Sequence, residues 1–170
     1  MPSPTYEAIA TTTVGSGGAS SVDFSSIPQT YTDLKLSISS RSDVSGQNDY
    51  PRISFNGSAA NQTLRAVQGD GSATASYTDT LIYTVGAGDT VTASTFGNSE
   101  FYIPNYTGST NKSVSSDGVN ENNATGAIAS LFAGLWSQTA AITSISVIPY
   151  NSGAKFKQYS TFTLYGIKNS

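Results

Sequence analysis

The sequence predicts an all-β fold, a single-domain antiparallel β-sandwich or jelly roll of about eight to ten strands. Three observations predict it: apolar and polar residues alternate in short runs, turn residues separate the runs by roughly 10 to 20 residues, and no long helical period occurs. A chain of 170 residues fits one domain. We expect this domain to span residues 6–170, after an N-terminal arm of residues 1–5.

Half-buried strands are expected where the apolar residues of a run fall on one face only. The alternating sets are Leu34, Leu36 and Ile38; Ile53 and Phe55; Phe101 and Ile103; Ile145 and Val147; Phe162 and Leu164. The turn signals between the runs are Gly15–Gly18, Ser45-Gly46, Asn56-Gly57, Gly69–Gly71, Gly86–Asp89, Asp117-Gly118 and Asn151–Gly153. Each set therefore predicts one strand with a single face in the core.

The segment Ala127–Trp136 differs because its apolar residues fall on both faces. One face would carry Ile128, Phe132 and Trp136, and the other Leu131, Ala133 and Leu135. This pattern predicts a central strand that is covered on both sides, with Trp136 in the core. A short helix is the alternative, but Gly126, Gly134 and the β-prone neighbours favour a strand.

The polar stretch Thr107–Thr125 shows no clear element. It is rich in Asn, Ser and Gly, which are typical of loops. We expect a long loop around one short strand near Val114.

The chain carries few charges. Asp, Glu, Lys and Arg make up 11% of its residues and the net charge is −3, whereas about 25% of residues are charged in a typical soluble domain. No basic stripe is present to neutralise phosphates, and no apolar run approaches bilayer thickness, so we expect neither nucleic acid nor membrane as a partner. A surface rich in hydroxyls suits packing against neighbouring proteins, although extracellular β-sandwiches share this composition.

The residue types argue against catalysis. Cysteine and histidine are absent, which removes thiolate chemistry, the commonest general base and the commonest metal ligand. Most acids fall in turns, where Asp usually accepts a hydrogen bond from the local backbone. The segments 43–49 and 117–123 offer several oxygen atoms but not the spacing of a calcium loop. We therefore expect no enzyme activity, no cofactor and no metal.

Candidate interface residues come from the turns and the N-terminus. Tyrosine is favoured where one end of a side chain is dry and the other is wet. The candidates are Tyr31, Tyr50, Tyr106 and Tyr150 beside turns, and Met1, Pro2, Ser3, Pro4 and Thr5 in the arm. The first residues show no charged and apolar regions of a secretory signal, so we expect synthesis in a cytoplasm.

Several segments resemble a known family. They are Tyr6–Thr11, Val22–Leu34, Ser39–Arg41, Arg52–Gly57 and Ser160–Ile167, of which Phe24–Leu34 is the most specific. The chain resembles, over roughly its first and last thirds, the small jelly-roll-like virion structural proteins of tailed bacteriophages.

The resemblance implies a capsid decoration (cement) protein without catalytic residues. It would bind the major capsid protein and neighbouring copies of itself, as a trimer, and stabilise the shell by protein–protein contacts. It would lie on the capsid surface of a virion assembled in the host cytoplasm. The alternative within the resemblance is a tail-fibre or tail-tip component, that is, a receptor- or glycan-binding module.

Overall fold

The fold is all-β and antiparallel, as predicted. A computed structural model describes residues 5–122 and 126–168, and its described residues form strands and no helix. The strands of the first half are β1 Tyr6–Thr13, β2 Val22–Phe24, β3 Asp33–Ser40, β4 Asn48–Asp49, β5 Arg52–Phe55, β6 Gln62–Gly69, β7 Thr74–Asp79 and β8 Gly86–Ala87. Those of the second half are β9 Gly97–Ile103, β10 Lys112–Glu121, β11 Ala127–Trp136, β12 Ile145–Ile148 and β13 Thr161–Ile167.

The strands pair into one large sheet and two small ones. The main sheet has the order β1-β13-β3-β9-β10-β11-β6-β7, and the small sheets are β2-β12-β5 and β4-β8. The apolar residues of β2, β5 and β12 join those of the main sheet in one buried cluster, which is the packing of a β-sandwich. The predicted arm residues Met1–Pro4 lie outside the described residues.

The core confirms the alternation that predicted the strands. In β3, β9 and β13 every second side chain is buried, and the residues between them face outward. Phe55 of the small sheet meets Trp136 of β11 with ring centroids 5.3 Å apart. Each large apolar side chain buried here contributes about 1.5 to 3 kcal/mol to folding. The prediction that Trp136 is a core residue is confirmed.

The expected loop at residues 107–125 is wrong, because most of this stretch is a strand. β10 pairs with β11 from Lys112↔Trp136 to Glu121↔Ala127, and with β9 on its other side. Its inward residues alternate as predicted for a strand, but Val114 is the only large apolar one; the others are Lys112, Ser116, Gly118 and Asn120. The sequence of β10 therefore lacks a hydrophobic period, and its pairing with β9 and β11 fixes it as a strand instead.

Segment Ala127–Trp136 is the predicted strand, but only one of its faces is covered. Ile128, Phe132 and Trp136 are buried, whereas Leu131 remains 63% exposed. In the main sheet, β11 lies between β10 and β6, and its burial alternates from residue to residue. The expectation that both faces are covered is wrong, and the exposed face requires a separate explanation.

Asp49 fixes a turn at the edge of the core. Its carboxylate is 1% exposed, and Oδ1 accepts hydrogen bonds from the backbone N–H groups of Tyr50 (2.8 Å) and Tyr150 (3.0 Å). Burial raises the pKa of this carboxyl, and the two backbone donors offset only part of the rise. The charged form is thus disfavoured in the folded protein.

The variant Asp49→Asn is expected to gain stability relative to the wild type as pH rises. Because the folded pKa of Asp49 lies above the unfolded value of about 3.9, its stabilising contribution is complete below that value and is lost as pH rises through the folded pKa. Urea unfolding of both proteins between pH 3.5 and 8 measures the difference. A difference that is constant over this range would contradict a raised pKa at Asp49.

Candidate interaction surface

The outward side of the main sheet carries a group of exposed apolar side chains on β6, β10 and β11. We call it the apolar outer face; it consists of Val67, Val119, Ala129, Leu131, Ala133 and Leu135. The exposed fractions of its large members are 63% for Leu131, 52% for Val67, 47% for Val119 and 37% for Leu135. Among the described residues these are four of seven exposed large hydrophobic side chains, so the exposure is concentrated in one place.

The strand register makes the group contiguous. Leu131 lies directly opposite Val67 on β6, and Val119 lies opposite Ala129. Directly paired residues of antiparallel strands point to the same side of a sheet, with Cβ atoms about 5 Å apart. Soluble monomers rarely expose contiguous apolar areas above a few hundred Å². The apolar outer face is therefore a candidate interaction surface, because it brings four exposed large hydrophobic side chains together on adjacent strands.

Leu131 forms a ridge between two shallow depressions. One has a volume of about 520 Å³ and lies beside Arg65, Ser115 and Ala133. The other, of about 410 Å³, lies beside Gly69, Val119 and Ala129. Both depressions are lined by Leu131 and Val67. The surface thus has one protruding side chain, Leu131, and two depressions that are each large enough to accept a side chain of a partner.

Two charges flank the ridge on opposite sides. Asp117 of β10 is the direct neighbour of Leu131, and Arg65 of β6 is paired with Ala133. Arg65 Nη1 donates to the Leu64 carbonyl at 3.0 Å, and within residues 5–122 and 126–168 neither charge forms an ion pair. Partial burial raises the pKa of the Asp117 carboxyl, and the nearby Glu100 carboxylate raises it further.

The other half of the outward side is polar and internally paired. Lys35 and Glu100 form an ion pair at 2.6 Å, and the hydroxyl groups of Thr11 and Thr163 lie 3.1 Å apart. The Tyr102 hydroxyl donates to Asp33 Oδ2 at 2.7 Å, and this bond to a carboxylate raises the pKa of Tyr102 to about 12. Satisfied polar groups of this kind need no partner, in contrast to the apolar half.

Two of the four candidate tyrosines are structural. Tyr106 is fully buried, and its hydroxyl donates to the Pro28 carbonyl; it is a core residue and not part of the surface, because its ring packs into the main hydrophobic cluster. Tyr31 is half-buried against Gly166, where an added Cβ atom would lie 2.3 Å from the Tyr31 ring. Gly166 thereby makes room for this ring on the sheet.

Tyr50 and Tyr150 join Tyr83 in an aromatic cluster with centroid distances of 5.6 to 6.2 Å. Tyr83 also contacts Phe132, which lies on the inner side of β11. The cluster is thus on the opposite side of β11 from the apolar outer face, and its most exposed member is Tyr150, at 38%. Of the predicted arm, Thr5 is exposed, and its carbonyl accepts a hydrogen bond from Lys168 N at 3.0 Å.

Among the described residues, none of the interface candidates predicted from the sequence lies on the apolar outer face. The signal that could have found this surface was present in Leu131 and Leu135, the second apolar face of segment Ala127–Trp136. Its interpretation depended on whether a second layer covers that strand, and periodicity does not report this.

A separate cleft of about 560 Å³ lies among the loops near β3 and β13. Tyr159, 67% exposed, and Ser94 line it, and both have positive φ angles, 72° and 64°. Lys155 and Asp43 add charges at its rim. Non-glycine residues in this region of backbone space are uncommon and concentrate at functional sites.

Arg41 forms part of the floor of the same cleft, but it is committed to structure. Its guanidinium donates to the carbonyl oxygens of Thr92 (2.8 Å), Thr95 (3.4 Å), Asp89 (2.9 Å) and Val91 (3.1 Å). These bonds hold the 89–95 loop in place, so Arg41 has no free donor pair for a ligand.

Comparisons with known proteins give no match: no family model, no curated protein and no solved structure is similar to this chain. Among the described residues, no group of three or more Asp or Glu side chains could hold a metal ion. No helix long and apolar enough to cross a bilayer occurs there either.

Proposed function

We propose that the protein is a virion structural protein of a tailed bacteriophage, a capsid decoration protein that stabilises the shell through protein–protein contacts. The observation that carries the proposal is the apolar outer face. The virion setting rests on the sequence resemblance of the first and last thirds of the chain. The jelly-roll-like connectivity, the capsid-surface location and the trimer belong to the same proposal.

The energetics of the apolar outer face favour an assembled state. Burial of apolar surface releases about 25 cal/mol per Å², so a patch of a few hundred Å² that is left in water forgoes several kcal/mol. The low charge content also reduces the desolvation cost of a contact, because hydroxyl groups lose less hydration than ions. A protein whose function is to be covered by neighbours benefits from both properties.

Cryo-microscopy of the native particle tests this function. The proposal predicts density for this chain at regular positions on the shell, in contact with the major capsid protein and with its apolar outer face covered. Density only at the tail, or a shell without this chain, would contradict it.

The loop cleft favours a second candidate, a tail-fibre or tail-tip module that binds a glycan. An exposed aromatic ring is the usual platform for a sugar face, and Tyr159 presents such a ring beside Lys155 and Asp43. The strained backbone at Tyr159 and Ser94 is the specific observation behind this candidate.

A glycan array separates the two candidates. The tail module predicts saturable binding that Tyr159→Ala weakens at least about tenfold, because stacking on an aromatic platform is lost. Tyr6→Ala is the matched control, since Tyr6 is 53% exposed and lies outside the cleft. The decoration proposal predicts no glycan-specific binding by the wild type, and binding that depends on Tyr159 would favour the tail module instead.

A further inference from the structure

We infer that the apolar outer face packs against the same face of a second copy, about a two-fold axis that crosses β11 obliquely between Leu131 and Ala133, so that Arg65 of each copy meets Asp117 of the other. The inference rests on the proposed function and names the partner of that surface. In a shell, such pairs would join copies that belong to neighbouring capsomers.

The sheet order supplies the geometry. β10 and β6 lie on the two sides of β11. A two-fold axis that lies in the plane of the interface and crosses β11 obliquely between Leu131 and Ala133 exchanges these two sides, because Asp117 is level with Leu131 and Arg65 is level with Ala133. Asp117 on β10 of one copy therefore lies over β6 of the other, which carries Arg65. The same rotation places Asp117 of the second copy over Arg65 of the first, so the contact between Arg65 and Asp117 forms twice.

Charge complementarity selects a second copy as the occupant. Among the described residues, Arg65 and Asp117 have no ion-pair partner of their own. An occupant that is wholly apolar would bury both charges without partners, which is costly. A partner suited to this face must present a carboxylate and a guanidinium on either side of an apolar centre, and a second copy presents this arrangement.

The shape of the apolar outer face is also complementary to itself. Leu131 protrudes between two depressions that it lines together with Val67. When two such ridges meet off-centre, each can enter a depression of the other, as in the side-chain interdigitation of sheets that pack about 10 Å apart. Ala129 and Ala133 flank Leu131 along β11 and leave space for an incoming side chain.

The size of the surface suits a stable pair. β10 and β11 have 10 residues each, and strands of that length extend over about 33 Å. With β6 (8 residues) and the adjoining edge strand β7 (6 residues), and at the usual strand spacing of about 4.8 Å, the four strands cover roughly 540 Å² in projection. The accessible area of a corrugated surface is larger than its projection, so this approaches the ~800 Å² per partner of a standard interface.

Charge reversal tests the inference because the predicted contacts are reciprocal. Sedimentation velocity would compare the wild type with Arg65→Asp, Asp117→Arg and their equimolar mixture. Each variant alone would place like charges together at both contacts, and we expect its dimer dissociation constant to rise at least about 100-fold. In the mixture, both contacts would pair opposite charges, and we expect a heterodimer within about tenfold of wild-type affinity. Glu7→Lys is the control, because Glu7 is an exposed acid on β1 at the far edge of the sheet.

Three results would overturn the inference: a wild type that stays monomeric at all concentrations, dimers that persist in both variants, or a mixture that stays monomeric. Incorporation of the chain into particles is measured separately. If the copies do not pair but the chain is still incorporated into particles, the second copy is not the partner of this face, and the decoration function stands. Failure of both would remove the proposed function as well.

Discussion

Leu131→Glu is expected to abolish self-association and incorporation into the particle while the fold is retained. Leu131 is 63% exposed, so its replacement removes little buried surface and should change the free energy of unfolding by less than about 0.5 kcal/mol. In an assembled state, the same carboxylate would lie at the centre of a dry interface next to Asp117. The cost of burying an unpaired charge there should raise the dissociation constant by a factor of at least about 100.

Thr11→Glu is the matched control for this variant. Thr11 is exposed on the same side of the main sheet, but it lies on the edge strand β1. Urea unfolding and sedimentation velocity on both variants separate stability from association. Wild-type association of Leu131→Glu would show that the apolar outer face is not the contact surface.

Arg41→Met is expected to lower the free energy of unfolding by roughly 3 to 5 kcal/mol, the largest loss among single changes at the loop cleft. The Arg41 side chain is 9% exposed and lies 3.7 Å from the Asp89 carboxylate. Methionine fills similar space but cannot donate to the four carbonyl oxygens of the 89–95 loop that Arg41 binds. That loop would open to water or keep unsatisfied acceptors, and both outcomes cost free energy.

Arg65→Met provides the comparison, because Arg65 is exposed and donates only to the carbonyl of its own neighbour. We expect it to change the unfolding free energy of the monomer by no more than about 0.5 kcal/mol. The measurement is urea unfolding by circular dichroism at a concentration below that of dimer formation. An equal effect of the two substitutions would show that the carbonyl contacts of Arg41 contribute nothing specific.

The strands with a strong apolar alternation could be predicted from the sequence, and those without it could not. β3 reads Leu34, Leu36, Ile38 on one face and polar residues on the other, and it lies where the pattern put it. β10 has the same burial alternation, but small and polar side chains fill most of its inward positions. Hydrogen bonds to the two neighbouring strands, β9 and β11, hold β10 in its extended conformation. A local sequence pattern carries no information about these neighbours.

The candidate site was even less accessible to sequence reasoning. The apolar residues of β11 were evident, but whether its second face is covered depends on the placement of the whole small sheet. The tyrosine candidates rested on proximity to turns, and Tyr106 shows the weakness of that rule, because its turn carries the ring into the core. Arg65 and Asp117 could not be associated before the register of β6, β11 and β10 was known.

The accessibility of the apolar outer face tests the central claim most directly. Because the chain has no cysteine, Ala133→Cys and Thr11→Cys each create a unique thiol on the same side of the main sheet, inside and outside this face. The account predicts that a water-soluble maleimide labels the thiol at position 133 more slowly as protein concentration rises, and more slowly still in the particle, while labelling at position 11 stays constant. A labelling rate at position 133 that changes neither with protein concentration nor in the particle would contradict it.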